Sequence, residues 1–247
     1  MVETSGLTAT LPVATDWAEG PRALVTGAAS GIGEACARLL VERGYSVVGM
    51  DLRRGLLDIE WSVGSVVEPK HCMSAVELAA PHLVIHCAGV AGGGPADSKL
   101  RSHDMSSEEW QRVIEIDLNG AWYVAKAALQ EGSCESVVIV ASVRSFLGSR
   151  AGRGDANYSA AKGGVVAMTR ALAVEHAVRF NAICPGPTDT PMTRKGLTPE
   201  AIANLANSMP LGRLVTAREV AECCVSVGLN TGMTGSVVVI DGGYSAR

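Results

Sequence analysis

The sequence predicts an α/β fold, a doubly wound parallel sheet in a single domain, and three observations carry that expectation. Short runs rich in Val and Ile alternate with longer Ala/Leu-rich stretches of helical spacing. The short runs are unbroken instead of alternating apolar with polar, as in strands buried on both faces. At 247 residues, 47% of them hydrophobic and 19% charged, the chain suits one large domain with a sizeable core and not a disordered segment.

The expected elements run in order along the chain. Arg22–Val25 is the first strand, and Gly31–Arg43 a helix with Ile32, Cys36, Leu39 and Leu40 on its apolar face. Ser46–Met50 is the second strand, and a third ends in Val63-Gly64-Ser65-Val66. Leu83–Cys87, Ser136–Ala141, Arg179–Cys184 and Ser236–Ile240 are the further strands. Helices are expected at Ser74–Ala80, Ser107–Gln130, Tyr158–Ala177 and Ala217–Val227. Helices between parallel strands cover both sheet faces. Residues 1–20 read as a flexible polar extension and 21–247 as the domain, with no internal repeat or low-complexity linker.

Composition excludes several classes of function. The net charge is −4 and no long basic run occurs, which argues against nucleic acid as a partner. No apolar run approaches the ~18 residues of a membrane span, and the N-terminus lacks an export signal. The seven cysteines form no CxxC pair and lie in apolar segments, as reduced thiols in the cytoplasm would. His71, His82, His86, His103 and His176 show no ligand spacing, so no metal site is expected.

After the first strand comes Thr26-Gly27-Ala28-Ala29-Ser30-Gly31-Ile32-Gly33, leading straight into the helix. A strand, a glycine turn and a helix N-terminus together aim backbone N–H groups at a pyrophosphate. Gly27 permits the tight turn, Gly31 lets phosphates approach, and Gly33 lets helix and strand pack. Asp51, directly after the second strand, is placed to accept hydrogen bonds from both adenosine ribose hydroxyls and to repel a 2′-phosphate. Arg53 and Arg54 cut the other way, since either can reach a 2′-phosphate. Together these residues favour NAD over NADP on a Rossmann-type sheet.

Tyr158-Ser-Ala-Ala-Lys162 opens a helical stretch, and residues four apart share a helix face. A phenol with an ordinary pKa of about 10 is a poor base near neutrality. A neighbouring ammonium, with the positive ring of an oxidised nicotinamide, favours the phenolate and is expected to move Tyr158 toward working pH.

Thr26–Gly33, the Tyr158/Lys162 pair and the segment Asn181-Ala-Ile-Cys-Pro-Gly-Pro-Thr-Asp-Thr190 together resemble the short-chain dehydrogenase/reductase family, in its compact branch. The likeness runs from about Arg22 to Tyr244 and includes Pro210-Leu-Gly-Arg213 and Asp241-Gly-Gly243. It implies Tyr158 as acid/base, with Lys162 lowering its pKa and holding the nicotinamide ribose. It also implies a serine after the fifth strand that meets the substrate oxygen. Ser142 aligns best at the strand end, although Ser145 stands at the family's usual distance from Tyr158; a short insertion in Arg144–Asn157 reconciles the two. The cofactor set implied is Gly27, Ser30, Gly31, Ile32, Gly33, Asp51, Leu52, Ser65, Val66, Cys87, Ala88, Gly89, Tyr158, Lys162, Ile183, Pro185, Gly186, Thr188 and Thr190. The Ile183 backbone is expected near the carboxamide. Residues 190–209 are expected to form a mobile lid, made apolar by Met192, Leu197, Leu205 and Met209.

Three positions depart from the family pattern. Asp117 stands where an Asn usually acts through its backbone carbonyl; it is counted with the catalytic set, and its charge is expected to raise the Lys162 pKa. His86-Cys87-Ala88-Gly89 replaces the usual Asn-Asn-Ala-Gly, with His86 read as a satisfied structural histidine. Ser65 stands where an Asp usually meets the adenine.

The implied activity is NAD-dependent exchange of a hydride with a secondary alcohol or ketone, in a cytoplasmic homotetramer or homodimer with Ser236–Tyr244 near an interface. A catalytically impaired dinucleotide-binding sensor or scaffold is the alternative. An enoyl reductase ranks below both, because its Tyr–Lys gap is usually longer. Arg144, Phe146, Arg150, Arg153 and Asp155 leave open an anionic group on the substrate or a solvated loop. Trp110 and Trp122 are read as core or subunit interface on one helix.

Overall fold

Each Val/Ile run becomes a strand of one parallel sheet in the computed structural model, which describes residues 20–92, 101–148, 154–195 and 197–246. The strands are β1 (Arg22–Thr26), β2 (Ser46–Asp51), β3 (Glu60–Val63), β4 (Leu83–His86), β5 (Ser136–Val140), β6 (Arg179–Pro185) and, last, β9 (Val237–Ile240). Between the last two, β7 (Thr188–Asp189) and β8 (Val215–Thr216) form a separate two-residue ribbon. The main sheet runs in the order β3-β2-β1-β4-β5-β6-β9 with every pairing parallel. Apart from Gly20, the expected N-terminal extension lies outside the described residues.

The core explains why the strands do not alternate. In β1, Ala23 and Val25 enter one layer and Leu24 the other; in β5, Val138 and Val140 oppose Val137 and Ile139. Both faces are covered, so each position must be apolar. The helices α1 (Gly31–Glu42) and α8 (Ala217–Leu229) pack together on one face. On the other lie α2 (Pro69–Ala79), α4 (Gly120–Glu131) and α5 (Ala156–Glu175). Fully buried side chains such as Leu24, Ile85 and Phe180 contribute about 1.5–3 kcal/mol each.

Several boundaries move. α2 begins at Pro69, where proline's fixed φ suits a first helical turn, not at Ser74. β3 stops at Val63, leaving Gly64, Ser65 and Val66 in the turn after it. The long helix expected at Ser107–Gln130 is three pieces: α3 (Ser107–Ile114), a π-helical turn (Glu115–Asn119) and α4. A π turn carries one extra residue and rotates the helix beyond it. Here it turns Asp117 fully inward. Trp110 and Trp122 consequently sit on different helices, and both are exposed, so neither belongs to the core.

Where β1 passes into α1 the backbone is tightest. A Cβ on Gly33 would stand 2.1 Å from the Gly27 carbonyl oxygen and 2.6 Å from its carbon. Backbone cannot yield as a flexible side chain can. Gly33→Ala is therefore expected to destabilise the protein by about 2–3 kcal/mol in urea unfolding. Gly148→Ala, where a Cβ meets nothing within 4 Å, should stay within about 0.5 kcal/mol of the parent. Equal midpoints for the two variants would refute this account of the turn.

Candidate active site

The strand order reverses between β1 and β4, and the loops leaving the carboxyl ends of these strands part there to form a cleft. Its two lobes, about 290 Å³ and 170 Å³, share Ile32, Cys87, Gly89, Val90, Thr190 and Met192.

The first lobe is built on the glycine turn. Gly27 adopts φ +68°, and a Cβ there would fall 2.8 Å from the Ala88 nitrogen, so the loops after β1 and β4 touch backbone to backbone. Thr26 staples them: its Oγ accepts from the Cys87 and Ala88 amides, each at 3.2 Å, and pairs with His86 Nδ1 at 2.9 Å. With two amides donating to it, the Thr26 hydroxyl has its proton left for Nδ1, which assigns the imidazole proton to Nε2. Burial, aided by the Lys162 charge, pushes His86 down to about 3, so the ring is neutral. Nε2 is buried with no partner among the described residues. His86 is thus structural but only half satisfied, a correction to the sequence expectation.

Asp51 closes the far end of this lobe. One carboxylate oxygen accepts from the Ala29 amide at 3.0 Å, the other from the Leu52 amide at 2.8 Å. Asp51 therefore braces the glycine turn. Leu52 is exposed on the rim. Ser30 precedes α1 without capping it through its side chain, and the first amides of a helix have no partner within it. A turn with a bare backbone, a helix N-terminus and a carboxylate on the next strand fit a dinucleotide. Ser65 serves its own turn, with Oγ accepting from the Val67 amide at 3.4 Å. Val66 lines the wall beside it.

The second lobe gathers Asp117, Ser142, Tyr158, Lys162, Pro185, Gly186, Thr188 and Thr190. Tyr158 and Lys162 lie one turn apart on α5, with the ammonium 5.7 Å from the centre of the phenol ring. Asn157 orients the helix start: its Oδ1 accepts from the Tyr158 amide at 2.8 Å and its Nδ2 donates to the Glu109 carbonyl at 3.3 Å. Lys162 Nζ donates to the Val140 carbonyl at the end of β5, 3.1 Å away, and stands 3.2 Å from Asp117 Oδ2. Asp117 Oδ1 accepts from the Val90 amide at 2.8 Å.

Charge is finely divided in this lobe. Burial alone would lower the Lys162 pKa, but Asp117 and Tyr158 outweigh it and hold the ammonium above its usual range. Burial pushes the Tyr158 phenol up; Lys162, Ser142 and Arg144 pull it down, Asp117 pushes it further up, and the balance is upward. Lys162 thus pulls in the expected direction, but without the positive nicotinamide ring that the expectation also invoked, desolvation and the carboxylate outweigh it.

The two serines part company. Ser142 lines the cleft beside Tyr158, its Oγ accepting from the Arg144 amide at 3.1 Å. Ser145 Oγ instead donates to the Lys162 carbonyl at 2.9 Å and pins α5. Ile183 is fully buried within β6 and its carbonyl accepts from the Ala141 amide at 2.7 Å, so it does not line either lobe. The Thr188 hydroxyl donates to the Gly186 carbonyl at 2.9 Å. Of the expected lid, α6 (Pro191–Lys195) brings the exposed Met192 over both lobes. Leu205 on α7 (Pro199–Asn207) is half-buried against the core and Met209 after it is buried in it, because α7 is amphipathic and turns that face inward.

Arg144 pairs with Asp155 at 3.2 Å and donates to the Gly148 carbonyl, while Arg150 and Arg153 lie outside the described residues. Val90 and Asn157 were missed by sequence reasoning. Their contributions are an amide and a backbone-directed carboxamide, which leave no motif. All seven cysteines are free thiols, and five are buried. Among the described residues no cluster of three His, Cys, Asp or Glu is placed to hold a metal, and no helix is long and apolar enough to cross a membrane.

A family model described as enoyl-(acyl carrier protein) reductase matches residues 27–245. The chain is 37% identical, over 91% of its length and 96% of the relative's, to cis-4-hydroxycyclohexanecarboxylate dehydrogenase of Sinomonas cyclohexanicum. It is 32% identical, over 91% and 95%, to cyclohexanol dehydrogenase of Acinetobacter sp. strain SE19. The ligand-free aldohexose dehydrogenase of Thermoplasma acidophilum superposes with a TM-score of 0.83 at 26% identity, covering 92% of this chain and 94% of that one. The cleft at the strand-order reversal, the glycine turn and the α5 pair thus belong to a compact oxidoreductase of the short-chain dehydrogenase/reductase family, whose members use nicotinamide cofactors.

Proposed function

We propose that the protein is an NAD-dependent dehydrogenase of cyclic secondary alcohols, working in reverse as a ketone reductase. The observation that carries this reading is the continuity of the two lobes, which sets Tyr158, Lys162 and Ser142 beside the space left for a dinucleotide. Both relatives named as dehydrogenases of cyclohexane-ring alcohols support the substrate class.

The bound nicotinamide would accept or supply the hydride. This chain's residues do the rest. In the oxidation direction Ser142 donates a hydrogen bond to the substrate oxygen, and the Tyr158 phenolate takes the hydroxyl proton. Lys162 steadies that phenolate and binds the ribose of the nicotinamide half. Gly27, Gly31 and the α1 N-terminus hold the pyrophosphate, and Asp51 binds the adenosine ribose. Cys87, Ala88 and Gly89 offer backbone along the dinucleotide, while Pro185, Gly186 and Thr190 close over the ring. Residues four apart at 158 and 162 support carbonyl over C=C chemistry. Assembly into a homotetramer or homodimer belongs to the same reading, supported by the exposed Trp110, Trp122 and Val239.

The deciding experiment assays NAD-linked oxidation of cyclohexanols, linear secondary alcohols and sugars, and NADH-linked reduction of an enoyl thioester. Turnover of the ring alcohols above the others is expected; reduction of the enoyl thioester alone would overturn the reading. Tyr158→Phe should lower kcat by about 10²- to 10⁴-fold while cofactor binding, followed by fluorescence, is retained. Because a phenolate is required and Tyr158 is held above its usual range, oxidation should speed up with rising pH and reduction should slow. Asp51→Ser removes the charge that repels a 2′-phosphate. The NAD-to-NADP ratio of kcat/KM is expected to fall about 100-fold, and an unchanged ratio would place cofactor choice elsewhere.

A further inference from the structure

We propose that Asp117 is a positioning residue that acts through its carboxylate, clamping the Lys162 ammonium in a closed buried ion pair and thereby setting the charge balance felt by the Tyr158 hydroxyl. Its kinetic consequence rests on the dehydrogenase reading above, whereas its electrostatic consequence does not.

The geometry is that of a built pair. The carboxylate is fully buried: Oδ1 accepts from the Val90 amide at 2.8 Å, and Oδ2 faces Nζ at 3.2 Å as an ion pair, with no hydrogen-bond partner of its own among the described residues. The Val140 carbonyl takes another Nζ proton at 3.1 Å. The pair and its partners are drawn from four separate segments, the π-helical turn, the loop after β4, the end of β5 and α5. Gly89 roofs it: a Cβ there would stand 3.2 Å from Oδ2 and 3.3 Å from Nζ. An unbroken α-helix through 115–119 would give this position a different bearing, so the local distortion and the contact belong together.

The charges around the pair come from every neighbouring element. On α5 are Lys162 and Tyr158; on β4 is the neutral His86, and just after it lies Cys87. Arg144 follows β5 and is tied to Asp155; Cys184 lies on β6; Arg112 on α3 is paired with Glu109. Lys162 alone contacts the carboxylate among these. The inner site therefore holds one cation and one anion, where a neutral amide at position 117 would leave a net positive charge. A negative charge beside a phenol disfavours its ionisation. Asp117 thus keeps Tyr158 in the phenol form to higher pH, until another positive charge, such as an oxidised nicotinamide, tips the balance.

The test measures Tyr158 ionisation in the full chain without cofactor, as the phenolate absorption difference between each protein and its Tyr158→Phe counterpart. Asp117→Asn removes the charge but keeps an oxygen for the Val90 amide. Its midpoint should fall by about one pH unit, and Asp117→Glu should restore the parent value. The acid limb of the pH profile for alcohol oxidation should move the same way, a gain of about tenfold at a fixed pH below it. If Asp117→Asn does not fold, Asp117→Ser carries the same expectation. A midpoint that stays put or rises in a folded, uncharged variant overturns the proposal. Absence of turnover by the parent protein on every alcohol would instead overturn the dehydrogenase reading and leave the titration to judge this one.

Discussion

An ammonium and a carboxylate removed from water need replacements for their hydration, and the Asp117–Lys162 pair is assembled with its partners from four places. The Val90 amide comes from the loop after β4, the Val140 carbonyl from the end of β5, the carboxylate from the π-helical turn and the amine from α5. Breaking a buried pair by deleting one member commonly costs about 3–5 kcal/mol, so these four segments are held in register with one another. Tyr158 inherits its place from this arrangement, one turn before the anchored lysine. Ser145 and Asn157 tie the same helix to its neighbours, Ser145 through the Lys162 carbonyl and Asn157 through the Glu109 carbonyl.

The cleft exists because of how the strands are ordered. β1 lies between β2 and β4, so the connections from β1 and β4 leave in opposite directions and cannot cover the gap between them. Glycine at 27 and 33 lets the first turn approach both the loop after β4 and its own helix. Thr26 then joins the two loops with one hydroxyl, at the expense of a buried His86 whose second nitrogen finds no partner among the described residues. Leaving such a group unpaired costs about 1–3 kcal/mol.

Periodic and spaced features were legible in the sequence, whereas features supported from a distance were not. Unbroken apolar runs such as Ser136–Val140 announced a doubly covered sheet, because each face of each strand meets a packed layer. The glycine turn and the Tyr158/Lys162 spacing were legible because each needs fixed residue types at fixed separations. Helix interruptions left no such mark. The residues Glu115-Ile-Asp-Leu-Asn119 carry no proline or internal glycine to signal the π turn; its support is tertiary, including the Asp117 contacts to Val90 and Lys162. Ile183 was misplaced for a similar reason, since a residue near the end of a strand can face a cleft or a core, and its carbonyl is consumed by Ala141.

By itself, the sequence determined the layered parallel architecture, the glycine turn after the first strand and the one-turn spacing of Tyr158 and Lys162, because periodicity and spacing are properties of the chain alone. Only the tertiary structure decided the sign of the Tyr158 shift, the division of labour between Ser142 and Ser145, and the side-chain role open to Asp117. Those depend on distances between segments far apart in sequence and on how completely water is excluded from them, and neither is written in any one stretch of residues.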